Sequence, residues 1–172
     1  EILLLAHVPP PWTWSAYAPG KGPSFSHYGA DMSDKLNNVP VEYLFTVHAT
    51  VGTPVFIPNG PSGTRLVVEV TGGTFSGPKI SGTVNMGGDW LTLRANGTGQ
   101  LDVRVLLTAE DGAAIHMTYE GIMTQAADGP RIITAPKFQT GAENHAWLND
   151  IQAIAFGKPG ENCVDYDVYR VI

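Results

Sequence analysis

The sequence predicts an all-β protein, a sandwich or barrel of short antiparallel strands. Two observations carry this. Apolar and polar residues alternate with period two in successive short segments, and Gly- and Pro-rich turn signals separate those segments at short, regular intervals. Gly 20 and Pro 13 together make 33 of 172 residues, an excess over ordinary usage that many turns would explain.

The segments follow in order. Val41 to Ala49 alternates, with Val41, Tyr43, Phe45 and Val47 on one face and Glu42, Thr46 and His48 on the other. Residues 54–63 contain Pro54, Pro58-Asn59-Gly60-Pro61 and Ser62-Gly63, and read as a turn-rich loop. Arg65 to Thr71 reads as a strand ended by Gly72-Gly73, and Lys79 to Val84 as one followed by a Gly87-Gly88 turn. Asp89 to Arg94 precedes the Asn96-Gly97 turn. Leu101 to Thr108 and Ala114 to Gly121 flank Glu110-Asp111-Gly112, and Arg131 to Phe138 is extended with Pro136 marking an edge or bulge. Ile151 to Phe156 and Val164 to Val171 complete the set. The one helix candidate is a turn or two around Ala142 to Asp150.

The first forty residues differ. Pro9-Pro10-Pro11 and Pro19-Gly20-Lys21-Gly22-Pro23 exclude regular helix, yet Trp12, Trp14, Tyr17, Phe25 and Tyr28 are many aromatics for a solvated linker. Residues 1–40 are therefore expected to form an irregular arm packed on the domain formed by residues 41–172.

Composition excludes several function classes. The net charge of −6 argues against nucleic-acid binding, which needs a basic footprint. No apolar run approaches the roughly 18 residues of a membrane helix. A hydrophobic content of 43% is enough for a core and too high for disorder. The single cysteine, Cys163, rules out an intrachain disulfide and reads as a small hydrophobe. The five histidines, His7, His27, His48, His116 and His145, lack paired metal-ligand spacing, so no metal is expected, although His48 and His116 could meet across a barrel. No dinucleotide fingerprint, Walker loop or nucleophile elbow is present, and no cofactor is expected. Glu1 in place of an initiator Met, with the glycosylation triplet Asn96-Gly97-Thr98, tilts the expectation toward a secreted mature chain. Glu1 to Ala6 is too short and lacks the basic flank of a signal peptide.

A set of motifs from Val41 onward resembles the DUF3237 family, also called UPF0311. They are Gly72-Gly73-Thr74-Phe75-Ser76-Gly77-Pro78, Ile80-Ser81-Gly82-Thr83-Val84, Gly87-Gly88-Asp89-Trp90 and Leu101-Asp102-Val103-Arg104. Asp111-Gly112-Ala113, Tyr119-Glu120-Gly121, Thr134-Ala135-Pro136-Lys137-Phe138, Thr140-Gly141 and Ala146-Trp147-Leu148-Asn149 continue it in order. The resemblance implies a compact antiparallel β-barrel of lipocalin-like general shape and implies no particular activity. The arm departs from the family pattern.

The hairpin Leu101 to Gly121 gives the sharpest site argument. Glu110-Asp111-Gly112 suits a three-residue loop with Gly112 in the left-handed region. Ala109 then pairs with Ala113, Leu106 with His116, Arg104 with Thr118 and Asp102 with Glu120. One face carries Asp102, Arg104, His116, Thr118 and Glu120; the other is apolar. The polar face is either a solvated outer face with cross-strand ion pairs or a polar wall of a binding cavity. The expectation carried forward is the second, with Asp102, Arg104 and His116 as catalytic candidates: His116 would shuttle a proton and Arg104 would orient a carboxylate. Trp90, Tyr119, Phe138, Trp147 and Asn149 are the candidate substrate-binding residues. In His145-Ala146-Trp147-Leu148-Asn149 the competing reading is a plug helix with Trp147 in the core, and Asp89 could simply cap a turn.

The functional expectation is a cofactor-independent isomerase, cyclase or lyase acting on a small apolar or aromatic metabolite. The alternative is a non-catalytic carrier, and a third reading makes the polar face an assembly interface. The expected partner is a small-molecule ligand, with no nucleic acid and no membrane, and a homo-oligomer is possible.

Overall fold

The computed structural model describes residues 38–127 and 129–172. The arm over residues 1–37, with the expected packing of Trp12, Trp14 and Phe25, lies outside the described residues.

Ten strands form one antiparallel sheet: β1 Val41–Val51, β2 Val55–Gly60, β3 Gly63–Ser76, β4 Ser81–Leu93, β5 Gly99–Ala109, β6 Ala114–Ala126, β7 Gly129–Thr134, β8 Lys137–Gln139, β9 Ala153–Pro159 and β10 Cys163–Val171. The order is β1-β10-β9-β7-β6-β5-β4-β3-β2. The second half of β3 also pairs with β1, from Thr46 opposite Ser76 to Val51 opposite Val70. That pairing closes an eight-stranded barrel and leaves β2 as a flap on the first half of β3. Closure removes the sheet edges that would otherwise be open to aggregation.

Alternation along the strands decides what faces inward. Leu101, Val103, Val105, Leu107 and Ala109 of β5 and Ile115, Met117 and Tyr119 of β6 are all buried. They join Phe45, Phe75, Phe138 and Val168 in one core. Phe45 packs edge-on against both Phe75 and Phe138, with ring centroids 5.3 and 5.8 Å away, a favoured aromatic geometry.

Five local expectations are corrected. Residues 55–60 are not loop: Val55, Phe56 and Ile57 pair with Val67, Leu66 and Arg65. Gly72-Gly73 does not end a strand, and Gly87-Gly88 is not a turn; β3 and β4 run straight through them. The glycines are there for closeness. A Cβ at Gly73, whose φ is +134°, would lie on the carbonyl oxygen of His48 across the β1–β3 seam. In β1 the register shifts between Tyr43 and Phe45. This bulge buries Leu44 as well as Phe45 and leaves Tyr43 exposed. Arg131 to Phe138 is split by Ala135-Pro136 into β7 and β8, both lying along β6.

The expected helix is a 3-10 helix, Glu143–Asp150. It lies by β8 and the β5–β6 hairpin tip, where His145 Nε2 and Asp111 Oδ2 are 2.9 Å apart. The Ala113 N–H and then His145 hold the Asp111 carboxyl below its ordinary range. Leu148, 1% exposed, drives this helix into the core, so the segment plugs one barrel end. Leu148→Ala should lower the unfolding free energy by about 2–5 kcal/mol, read from denaturant midpoints at unchanged slope.

Candidate active site

The hairpin register is the expected one. Ala109 N–H donates to Ala113 O at 2.9 Å, Gly112 has φ +86°, and Leu106, Arg104 and Asp102 face His116, Thr118 and Glu120. Its polar face, however, points away from the barrel interior. Val103, Val105, Met117 and Tyr119 are the inward residues, so their alternation partners Asp102, Arg104, His116 and Thr118 form the outer wall. The expectation that this face lines an interior cavity is corrected. The physical reason is volume: the apolar face of the same two strands fills the barrel, and only one face can.

On the outside, Arg104 donates to Asp102 Oδ1 at 2.9 Å and its guanidinium lies 5.9 Å from the Trp90 ring centroid. Asp102, Arg104, Thr118, Glu120 and Lys137 line an external groove of about 430 Å³. His116, Phe138 and Asn149 border a second groove, of about 510 Å³, that shares Thr118 and Lys137 with the first. The structure therefore gathers Trp90, Asp102, Arg104, His116 and Asn149 into one external strip. Asn149 is committed to the fold within it: its Oδ1 accepts from Thr140 N at 2.8 Å and its Nδ2 donates to Thr140 O at 3.0 Å. Phe138 is core, and Trp147 is half-buried against the core as part of the plug.

Tyr119, like Phe138, faces the interior, and it leads to a group that linear spacing does not place there. Cross-strand partners share a face. Asp89 is opposite both Val68 and Val103, and Val103 is opposite Tyr119. Val103 is buried, so the row Val68–Asp89–Val103–Tyr119 runs along the inner wall. Asp89 Oδ1 accepts a hydrogen bond from the backbone N–H of Asp102 at 3.1 Å. That bond stands where the β4–β5 ladder skips Trp90 and Leu91.

Burial among apolar neighbours pushes the Asp89 carboxyl up from 3.8 to about 6, and the Asp102 charge adds to the rise, while the Asp102 N–H works against it. The Tyr119 and Tyr166 rings meet edge-on with centroids 5.6 Å apart. Burial pushes both phenols up, Tyr119 strongly. Gly157 leaves room for the Tyr166 ring, which a Cβ there would strike. Thr134, opposite Gly121 on β7, is 3% exposed and its Oγ1 has no hydrogen-bond partner. Most buried polar groups are paired, so Thr134 leaves one interior hydrogen bond unspent.

At the end opposite the plug the inner side is apolar and partly exposed. Leu66, Leu93 and Met123, on the inner side at the start of β3 and the ends of β4 and β6, pack on the core yet stay partly exposed. Phe56, opposite Leu66 and 61% exposed, carries this apolar rim onto the β2 flap. Asp89 lies four residues below the end of β4 and is itself half-buried. Below that apolar rim the inner wall carries the Asp89 carboxyl, raised to about 6, the Tyr119 and Tyr166 phenols and the Thr134 hydroxyl.

The comparisons with known proteins bear on the family and the fold. Residues 39–171 match the family described as "Protein of unknown function (DUF3237)". The chain belongs to the DUF3237 family. A UPF0311 protein of Bradyrhizobium diazoefficiens is 26% identical over 145 residues, covering 76% of this chain and 95% of that protein. A hydroalkoxylation enzyme of Penicillium herquei is 32% identical over 114 residues, covering 66% of this chain and 70% of that enzyme. Among solved structures, a conserved protein of unknown function from Rhodopseudomonas palustris superposes with a TM-score of 0.75 at 24% identity, covering 80% of this chain and all of that one. An enzyme from P. herquei superposes at 0.64 with 26% identity, covering 82% and 100%. The DUF3237 fold is thus shared with an acinetobacterial protein described as "beta-barrel like", and at least one relative within reach of this chain is an enzyme.

The motif Gly87-Gly88-Asp89-Trp90 was visible in the sequence, but its inward side chain was not. Reading Gly87-Gly88 as a turn puts a hinge where β4 runs on, and the alternation through Asp89 is then lost. Tyr166 and the rim residues Phe56 and Leu66 were missed for want of the closure that brings β10, β2 and β3 together.

Proposed function

We propose that this protein is a cofactor-independent enzyme of the isomerase, cyclase or lyase type, relocating a proton on a small apolar or aromatic metabolite held at the barrel mouth. The observation that carries the reading is Asp89. A carboxyl held at about 6 inside an apolar wall is populated in both protonation states near neutrality, which is what general acid–base catalysis needs. Simple carriage gives no reason to bury it. Tyr119 and Tyr166 can donate to a developing oxyanion, and Thr134 Oγ1 supplies an acceptor or donor for a substrate hydroxyl. Hydroalkoxylation, the activity named for the fungal relative, adds an O–H across a carbon–carbon double bond. It moves one proton and no net electrons, so it belongs to the same chemical class.

In this reading Asp102 is a positioning residue. Its N–H holds the Asp89 carboxylate and its charge raises the Asp89 pKa, with Arg104 tempering that charge. His116 stays on the outer wall, remote in register from Asp89. The test begins with a ligand screen by quenching of tryptophan fluorescence, followed by product analysis of each ligand found. Asp102→Asn should move the acid limb of the pH–rate profile to lower pH with only a small change in maximal rate. A profile unmoved by Asp102→Asn removes the positioning role. Recovery of every tight ligand unchanged after long incubation makes the protein a carrier.

A further inference from the structure

We propose that the outer wall of β1 and β10 carries a divalent transition-metal site of the zinc class, ligated by His48, Cys163 and Asp165. The site is separate from the barrel mouth and takes no part in the proposed chemistry; it clips the first strand to the last.

The placement follows from register. His48 is directly opposite Asp165, and Thr50 is opposite Cys163. Cys163 and Asp165 are two residues apart on one strand, so they share a face, and Cys163 is the diagonal neighbour of His48. Val47, Ala49 and Tyr166 are buried, which puts the three residues on the outside. One ligand atom from each lies within 4.8 Å of the others, and His48 Nδ1 is 2.6 Å from Asp165 Oδ1. In a tetrahedral zinc shell with bonds of about 2.0–2.3 Å, donors stand roughly 3.3–3.8 Å apart. Small rotations of the exposed His48 and Asp165 and the half-buried Cys163 side chains bridge that difference without moving backbone.

The donor set sets the metal class. An imidazole nitrogen, a thiolate sulfur and a carboxylate oxygen suit zinc or cobalt(II), while calcium and magnesium prefer oxygen alone. Three protein ligands leave the fourth position to water. The scaffold is rigid where the ligands attach: Gly160 N–H donates to Cys163 O and Val51 N–H to Asn162 O, both at 2.9 Å. On the neighbouring strands Asp165 faces Lys158 and His48 faces Thr74. The Lys158 ammonium repels a dication, so Lys158→Ala should tighten binding. Sequence spacing hides the site because His48 and Asp165 are 117 positions apart; strand pairing alone brings them together.

The full chain, stripped with chelator, is titrated with zinc ion against a competing chromophoric chelator. One tight equivalent is expected, weakened at least about tenfold in both Cys163→Ser and His48→Ala, since even losing a residue that merely supports a ligand costs that much. Both positions are on the surface, and unchanged melting of the metal-free variants checks that they fold. Cobalt(II) gives a second measurement on the unaltered chain: coordination by Cys163 produces a near-ultraviolet thiolate-to-cobalt charge-transfer band, absent from Cys163→Ser. No zinc uptake, equal affinity in both variants, or a cobalt spectrum without that band overturns the proposal.

Discussion

Asp89→Asn is expected to remove activity and raise stability in the same molecule. A carboxyl whose pKa is about 6 when folded, against 3.8 in its ordinary state, costs the native state about 3 kcal/mol once both forms are ionised. The sign follows from proton counting. Between about pH 4 and 6 the folded chain binds more protons than the unfolded chain at this position, so stability falls as pH rises through that window and stays low above it. Asparagine keeps the shape and can still accept from the Asp102 N–H, but it has no charge to desolvate. The variant should therefore melt higher than the parent at pH 7.5 and lose the stability loss between pH 4 and 6. Turnover on any substrate the screen finds should fall by about 10²–10⁴-fold, the usual worth of a general acid or base. Gain of stability with loss of rate is what a functional carboxyl strained by its site produces. A variant that melts lower and turns over normally would make Asp89 a structural residue.

The second large effect is at the seam that closes the barrel. Gly73→Val should destabilise by at least about 3 kcal/mol, because a side chain there meets the His48 carbonyl oxygen and the Ala49 backbone, and a β-branched residue resists positive φ as well. The β1–β3 pairs from Thr46 to Val51 would have to part, which reopens a sheet edge. The measurement is chemical unfolding beside Gly97→Val. Gly97 also has positive φ, but nothing lies within 4 Å of its added Cβ. The difference between the two variants isolates the contact with β1 from the cost of the backbone angle.

The sequence carried the local architecture where period-two alternation was uninterrupted. The β5–β6 hairpin is the clearest case: Asp111-Gly112 chemistry, the three-residue loop and the register from Ala109–Ala113 to Asp102–Glu120 all follow from turn geometry and from keeping one face apolar. What alternation does not contain is which face is inside. Both faces of a barrel wall can be dense with large side chains, and Arg104 and Trp90 form an external pair as readily as a pocket wall. Glycine misled in the same way. Gly72-Gly73 and Gly87-Gly88 look like punctuation, whereas in a tightly coiled barrel they are the places where strands approach too closely for a side chain. Pro58 and Pro61 hid β2, whose outer edge has no partner strand among the described residues and so loses little when a backbone donor is missing. The family motifs supplied the closed barrel. Closure then turned Asp89, Tyr119, Thr134 and Tyr166, from four different strands, toward one interior, an arrangement with no signature in linear spacing.

Whether the Asp89 carboxyl is poised for proton transfer near neutral pH is decided by a carbon-13 NMR pH titration of the aspartate carboxyl resonances in the parent chain and in Asp89→Asn. One resonance should titrate with a midpoint near 6, be absent from the variant, and shift its midpoint when a mouth-binding ligand is added. If every aspartate in the folded chain titrates in the ordinary range near 4, Asp89 is a solvated surface acid and the proposed site is wrong.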